Sequence, residues 1–181
     1  MTLVLSLDRD SERFQEMTSE KKTLLAICSD RRLMHREQEL SNSIQAEEGD
    51  FPFRIILPGG CLPYQNDKVL EASFQPFLYA GVNHLHLEDH MGANPLVPSC
   101  KAYWLRNMLR YGDQSKLPWQ VEKSEHLSEL NQIGWSFMNF SERHGYTLTV
   151  TAGLYLHDDA GRGKLLPVTI QEPSRYETAF R

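Results

Sequence analysis

The sequence predicts a three-layer α/β domain with a mainly parallel β-sheet, an antiparallel edge strand and an N-terminal helical arm. Three observations predict it. Thr23 to Cys28 is an apolar run that stops abruptly at Ser29 and Asp30, as a strand buried on both faces does, and Phe53 to Leu57 is a second. Helical periodicities lie between such runs, and strand–helix alternation implies a parallel sheet joined by crossovers. Near the end, Asp158-Asp159-Ala160-Gly161 turns one strand back into Lys164 to Val168, an antiparallel edge. The domain spans 23–170, with an arm over 1–22 and a tail over 171–181. At 181 residues the chain can bury one core without disulfide staples.

Each element has its own signal. Residues 1–22 are polar apart from Phe14 and Met17, which suits an arm that docks elsewhere. After Cys28, Leu33, Leu40 and Ile44 fall at helical spacing, interrupted by Glu37 and closed by the acidic Glu47-Glu48-Gly49-Asp50, read as a solvated end. Pro58-Gly59-Gly60 ends the second strand with a turn that permits close approach. A helix capped by Asn66 or Asp67 runs to about Ala80, and Pro76 should kink it before Gly81 ends it. Asn83 to Leu87 is a short third strand that delivers Glu88, Asp89 and His90 to its carboxyl end, and Met91 to Pro95 breaks the pattern. Tyr103, Trp104, Leu105, Met108 and Leu109 suggest a helix from Cys100 to Tyr111, with a loop to about Ser124. Leu127, Leu130, Ile133, Phe137 and Phe140 predict an amphipathic helix from Glu125 to His144 with Gly145 as its C-cap. Tyr146 to Ala152, continued by Leu154 to Leu156, is the fourth strand.

Bulk properties exclude several classes. A net charge of -5 with scattered Lys and Arg argues against nucleic acid as a partner. No apolar run approaches the roughly 18 residues that cross a bilayer, and Asp8, Arg9 and Asp10 interrupt any secretory leader, so a cytoplasmic protein without a membrane partner is expected. Cys28, Cys61 and Cys100 are odd in number and far apart, which suits reduced thiols.

In parallel sheets ligands bind beyond the carboxyl ends of strands, and Cys28, the Gly59-Gly60-Cys61 turn and His90 all lie at such ends. Cys28-Ser29-Asp30-Arg31-Arg32 after a buried strand resembles the C-x-D-x-R motif of the β-class carbonic anhydrases. Arg54 to Gly60 is similar to that family's second strand and glycine turn, Gly81 to His90 to the strand entering its H-x-x-C motif, and Leu154 to Leu166 to its terminal hairpin. The resemblance implies that Cys28 and His90 bind zinc and that Asp30, held by Arg32, accepts a hydrogen bond from the attacking hydroxide as carbon dioxide becomes bicarbonate. It also implies a homodimer, for which Phe14, Tyr103, Trp104 and Trp119 are contact candidates. One departure stands out: three residues after His90, where the family has its second zinc cysteine, this chain has Ala93. Two ligands are too few for a stable zinc site, so either Asp30 leaves Arg32 or Cys61 swings in as the third. Six other histidines, His35, His84, His86, His126, His144 and His157, give no choice of proton shuttle.

Plainer readings compete. Free cysteines are usually buried as small hydrophobes, and Cys61 and Cys100, with no motif around them, read as core. Asp30 and Arg32 can be a helix-start carboxylate and a surface cation, and Gly59-Gly60 lacks the spacing of a dinucleotide loop. Three functions follow: a zinc lyase of the carbonic anhydrase type, a non-catalytic relative that holds a small anion or acid in the former pocket, and a cysteine hydrolase using Cys28 with His90 as base.

Overall fold

The structure, a computed structural model, describes residues 20–57, 67–103, 105, 108 and 118–172. The arm's residues 1–19, Gly59, Gly60 and Cys61, and half of the helix expected from Cys100 to Tyr111, Trp104 included, lie outside the described residues. β1 (Thr23–Cys28), a 3-10 turn (Arg31–Leu33), α1 (Met34–Glu48), β2 (Phe53–Leu57), α2 (Asp67–Ser73), α3 (Gln75–Tyr79), β3 (His84–Gly92), α4 (Trp119–Arg143), β4 (Thr149–His157) and β5 (Gly163–Val168) follow in order. They build one five-stranded sheet, ordered β2-β1-β3-β4-β5. The first four of these strands run parallel, and β5 pairs antiparallel with β4. The expected α/β architecture with its antiparallel edge is therefore present.

One face of the sheet carries the main core. Leu24, Ala26, Leu85, Leu87, Leu154 and Leu156 pack there against Leu70 and Phe74 of α2 and its end, and against Leu130, Ile133, Phe137 and Phe140 of α4. The predicted stripe of α4 is thus core. Phe74 and Phe137 meet edge to face at 4.5 Å, a geometry that adds to their burial. On the other face Leu25, Ile27 and Leu33 form a smaller cluster with Cys28, Cys100, Tyr103 and Tyr155.

Several boundaries differ from those predicted, each for a physical reason. β1 is buried along its whole length, as its composition implied, but β2 is the outermost strand and exposes Phe53 and Ile56. An apolar run therefore did not mean a central strand here. The helix expected through Ala80 is two short helices: Pro76 sits in the first turn of α3, where its missing N–H costs nothing, and the chain breaks at Phe74. Gly81 follows with φ +89, a backbone that favours glycine. β3 continues to Gly92 and carries Glu88, Asp89 and His90 inside the strand, because β4 pairs with it as far as Gly92↔His157. α4 starts at Trp119, directly after Pro118, and not at Glu125. Glu47 is exposed beside Lys21, whereas the side chain of Glu48 is only 4% exposed and accepts hydrogen bonds from Thr23 N–H and Thr23 Oγ1, tying the end of α1 to the start of β1. That carboxylate does not belong to a solvated face.

Candidate metal centre

β1 ends at Cys28, whose thiol is almost fully buried. The chain then turns at Asp30, which caps the 3-10 turn by accepting Arg32 N–H at 3.0 Å. Its Oδ1 also accepts Arg32 Nε at 3.0 Å, and Oδ2 accepts Nη2 at 2.7 Å. The side-chain hydrogen bonds from Arg32, against the opposing effect of partial burial, hold the Asp30 carboxyl far below the usual carboxylate range. Asp30 has not left Arg32 to serve as a ligand.

Arg32 has a second grip. Its Nη1 donates to the Pro98 carbonyl at 2.6 Å and Nη2 to the Ser99 carbonyl at 3.3 Å. Those carbonyls immediately precede Cys100, so the arginine that orients Asp30 also fixes the backbone that delivers Cys100. The loop returns there because Gly92 leaves no room for a side chain: a Cβ would collide with the Val97 carbonyl. Val97 N–H bonds the Asn94 carbonyl and Leu96 N–H bonds Asn94 Oδ1, and Trp119 Nε1–H donates to the Gly92 carbonyl at 2.8 Å. Trp119 and the buried Tyr103 are thus used inside the fold.

His90 is wholly buried in β3. Its Nδ1 lies 3.0 Å from His157 Nε2, its backbone N–H donates to Asp89 Oδ1, and its Nε2 has no hydrogen-bond partner among the described residues and stands 3.9 Å from Asp30 Oδ2. Cys28, His90 and Cys100 offer one donor atom each, all within 4.8 Å of one another. The two sulfurs are 3.7 Å apart, too far for a disulfide. A tetrahedral zinc ion with Zn–S bonds near 2.3 Å separates two sulfurs by about 3.8 Å. The observed spacing fits that ion, and two soft sulfurs with one imidazole form a donor set that selects zinc over hard cations. The hydrogen bond with Cys28, opposed by burial and aided by nearby His90, pulls the Cys100 thiol below its ordinary range, toward the thiolate that a metal needs.

The structure therefore brings Cys28, Asp30, Arg32 and His90 together and sets Cys100 beside them, while Cys61, the other third donor considered, lies outside the described residues. Ala93 is exposed and outside the trio, and Cys100 is core, as expected, while its thiol also lies within reach of Cys28 and His90. Spacing could not find Cys100, because the loop from Ala93 to Ser99 separates it from His90. The one available signal was an unassigned cysteine shortly after the strand carrying His90. His157, one of several unranked histidines, lies against His90, while His84 and His86 sit nearer the start of β3, bonded to Thr151.

Behind the trio lies a buried charged group. His126 of α4 pairs with Asp89 Oδ2 at 2.5 Å, has Glu122 Oε1 at 3.8 Å, and stacks on Tyr103 at 3.9 Å between ring centroids. Burial lowers the His126 pKa, but Asp89 and Glu122 outweigh it and raise the pKa to about 9. On the other side of the site, Arg36 of α1 holds buried Glu88 through two hydrogen bonds of 3.0 Å and lies 5.2 Å from the Tyr155 ring.

The sequence matches no protein-family model and no curated protein. The fold does match solved structures. The Coccomyxa β-carbonic anhydrase, solved in complex with acetazolamide, aligns with a TM-score of 0.50 at 14% identity over 90% of this chain and 81% of that one. The β-carbonic anhydrase CafA of Aspergillus fumigatus gives 0.47 at 14% identity over 88% and 81%, and a tetrameric β-carbonic anhydrase of Sordaria macrospora gives 0.43 at 16% over 84% and 85%. At such low identity the likeness speaks for architecture, and this chain has the fold of the β-carbonic anhydrases.

Proposed function

We propose that this protein is a zinc-dependent lyase of the carbonic anhydrase type, which reversibly combines carbon dioxide and water into bicarbonate and a proton. The observation that carries the reading is the buried Cys28, His90 and Cys100 trio with the Asp30–Arg32 pair beside it. Zinc bound there supplies Lewis acidity that makes water an effective nucleophile near neutral pH. The three side chains hold the ion. Asp30, kept anionic by Arg32, can only accept, so it takes a hydrogen bond from the attacking hydroxyl group and turns its lone pair toward carbon dioxide. Leu33, Tyr103 and Ile27 pack around the two thiols and give an apolar setting that suits an uncharged substrate. A cysteine nucleophile needs one thiol beside its base, and the second thiol here favours a metal.

Elemental analysis of the purified protein tests this. We expect about one zinc per chain in the natural protein and a loss of most of it in both Cys28→Ser and Cys100→Ser. Equal zinc in all three would overturn the site. Full zinc occupancy without carbon dioxide hydration in a stopped-flow assay would overturn the catalytic part and leave a metal-binding relative.

A further inference from the structure

An imidazole binds a metal only through a nitrogen that carries a lone pair, and the contact made by its other nitrogen decides which one that is. The contacts around His90 decide it in two steps. His157 Nδ1 lies 2.8 Å from the Asp158 carbonyl, and a carbonyl can only accept, so His157 Nδ1 carries a proton. His157 is completely buried and among the described residues its ring nitrogens meet no carboxylate, so the ring is neutral and its Nε2 is an acceptor. That Nε2 is the atom 3.0 Å from His90 Nδ1. His90 therefore donates from Nδ1, and in the neutral form that a metal ligand must take, the lone pair is on Nε2. Nε2 is buried, has no hydrogen-bond partner among the described residues and stands 3.9 Å from Asp30 Oδ2, so it is the nitrogen left to join the two sulfurs.

The backbone keeps this relay in place. His90 and His157 lie on neighbouring strands, with Gly92 opposite His157 in the register. Ala93 N–H extends the pairing by donating to the His157 carbonyl at 2.8 Å. The Asp158 turn is itself closed: its N–H donates to the Arg162 carbonyl, and its Oδ1 accepts the N–H groups of Ala160 and Arg162 at 2.9 Å each. The carbonyl that starts the relay cannot easily turn away.

We infer that His157, anchored by the Asp158 carbonyl, is a positioning residue that fixes the tautomer and ring direction of His90 so that Nε2 is presented as the metal ligand. The purpose of this relay rests on the zinc reading above, but its geometry does not. A merely structural pair would fill space without setting a proton's place.

Two measurements decide it. In metal-free protein labelled with 15N at histidine, imidazole NMR correlations should show His90 protonated at Nδ1 and bare at Nε2, and His157 protonated at Nδ1. Zinc affinity by chelator competition should fall about 10- to 100-fold in His157→Leu, and His157→Gln, whose carbonyl can accept the His90 proton, should recover part of the loss. A proton on His90 Nε2 in the metal-free spectrum would refute the inference even if the leucine variant does not fold. So would a leucine variant that holds zinc as tightly as the natural protein. Natural protein that takes up no zinc overturns the proposed function instead, and the spectrum still decides the tautomer.

Discussion

Asp30 receives three hydrogen bonds from one arginine and lies 3.9 Å from Nε2 of His90. In the proposed mechanism it orients without ligating. Asp30→Asn should therefore leave zinc content unchanged and slow carbon dioxide hydration by about 100-fold or more, since the amide replaces an obligate anionic acceptor by a group that can also donate. An unchanged hydration rate would remove Asp30 from the mechanism. At this scale the sequence was informative where chemistry is local: Cys28, Asp30 and Arg32 lie within one turn of chain after a buried strand. It was uninformative for Cys100, which nothing marks in its own neighbourhood and whose place depends on a folded-back loop.

Strands and turns set that neighbourhood. Gly161, in the turn between β4 and β5, has φ +79, and a Cβ there would run into the carbonyl of Arg32. The hairpin thus presses on the backbone of the residue that holds Asp30. Gly161→Ala should cost about 1 to 3 kcal/mol, from the left-handed backbone and the displaced carbonyl together, and lower the urea midpoint accordingly. A midpoint equal to that of the natural protein would show that the turn yields freely. Most elements were legible because β1 and α4 have clear composition or periodicity, while α1 showed a stripe broken at Glu37 and β5 followed a readable turn. The far end of β3 was not: Glu88, Asp89 and His90 read as polar residues leaving a strand, and only pairing with β4, Arg36 and His126 lets them stay inside.

The molecule as a whole is braced by a charge buried against its sheet. His126 has a folded pKa of about 9, above its ordinary 6.5, so the stability it contributes is complete below pH 6.5 and is lost as pH rises through 9. The shift corresponds to roughly 3 kcal/mol. Unfolding free energy should decline between pH 7 and pH 10, and His126→Leu should flatten that decline while destabilising the protein at neutral pH by about 3 kcal/mol or more, because Asp89 is left buried without its cation. A leucine variant with the same alkaline decline would assign it to other groups. No helix among the described residues is long and apolar enough to cross a membrane.

Arg32 closes its fork on the carbonyls of Pro98 and Ser99. A guanidinium that clasps backbone oxygen is indifferent to how many residues lead up to the clasp. The thiol that follows is thus addressed in space, from a motif near the start of the domain, and not by counting onward from the histidine. Insertions or deletions between Gly92 and Pro98 that keep Val97 against Gly92 should alter the spacing without moving the sulfur, as long as the chain comes back to the same hand.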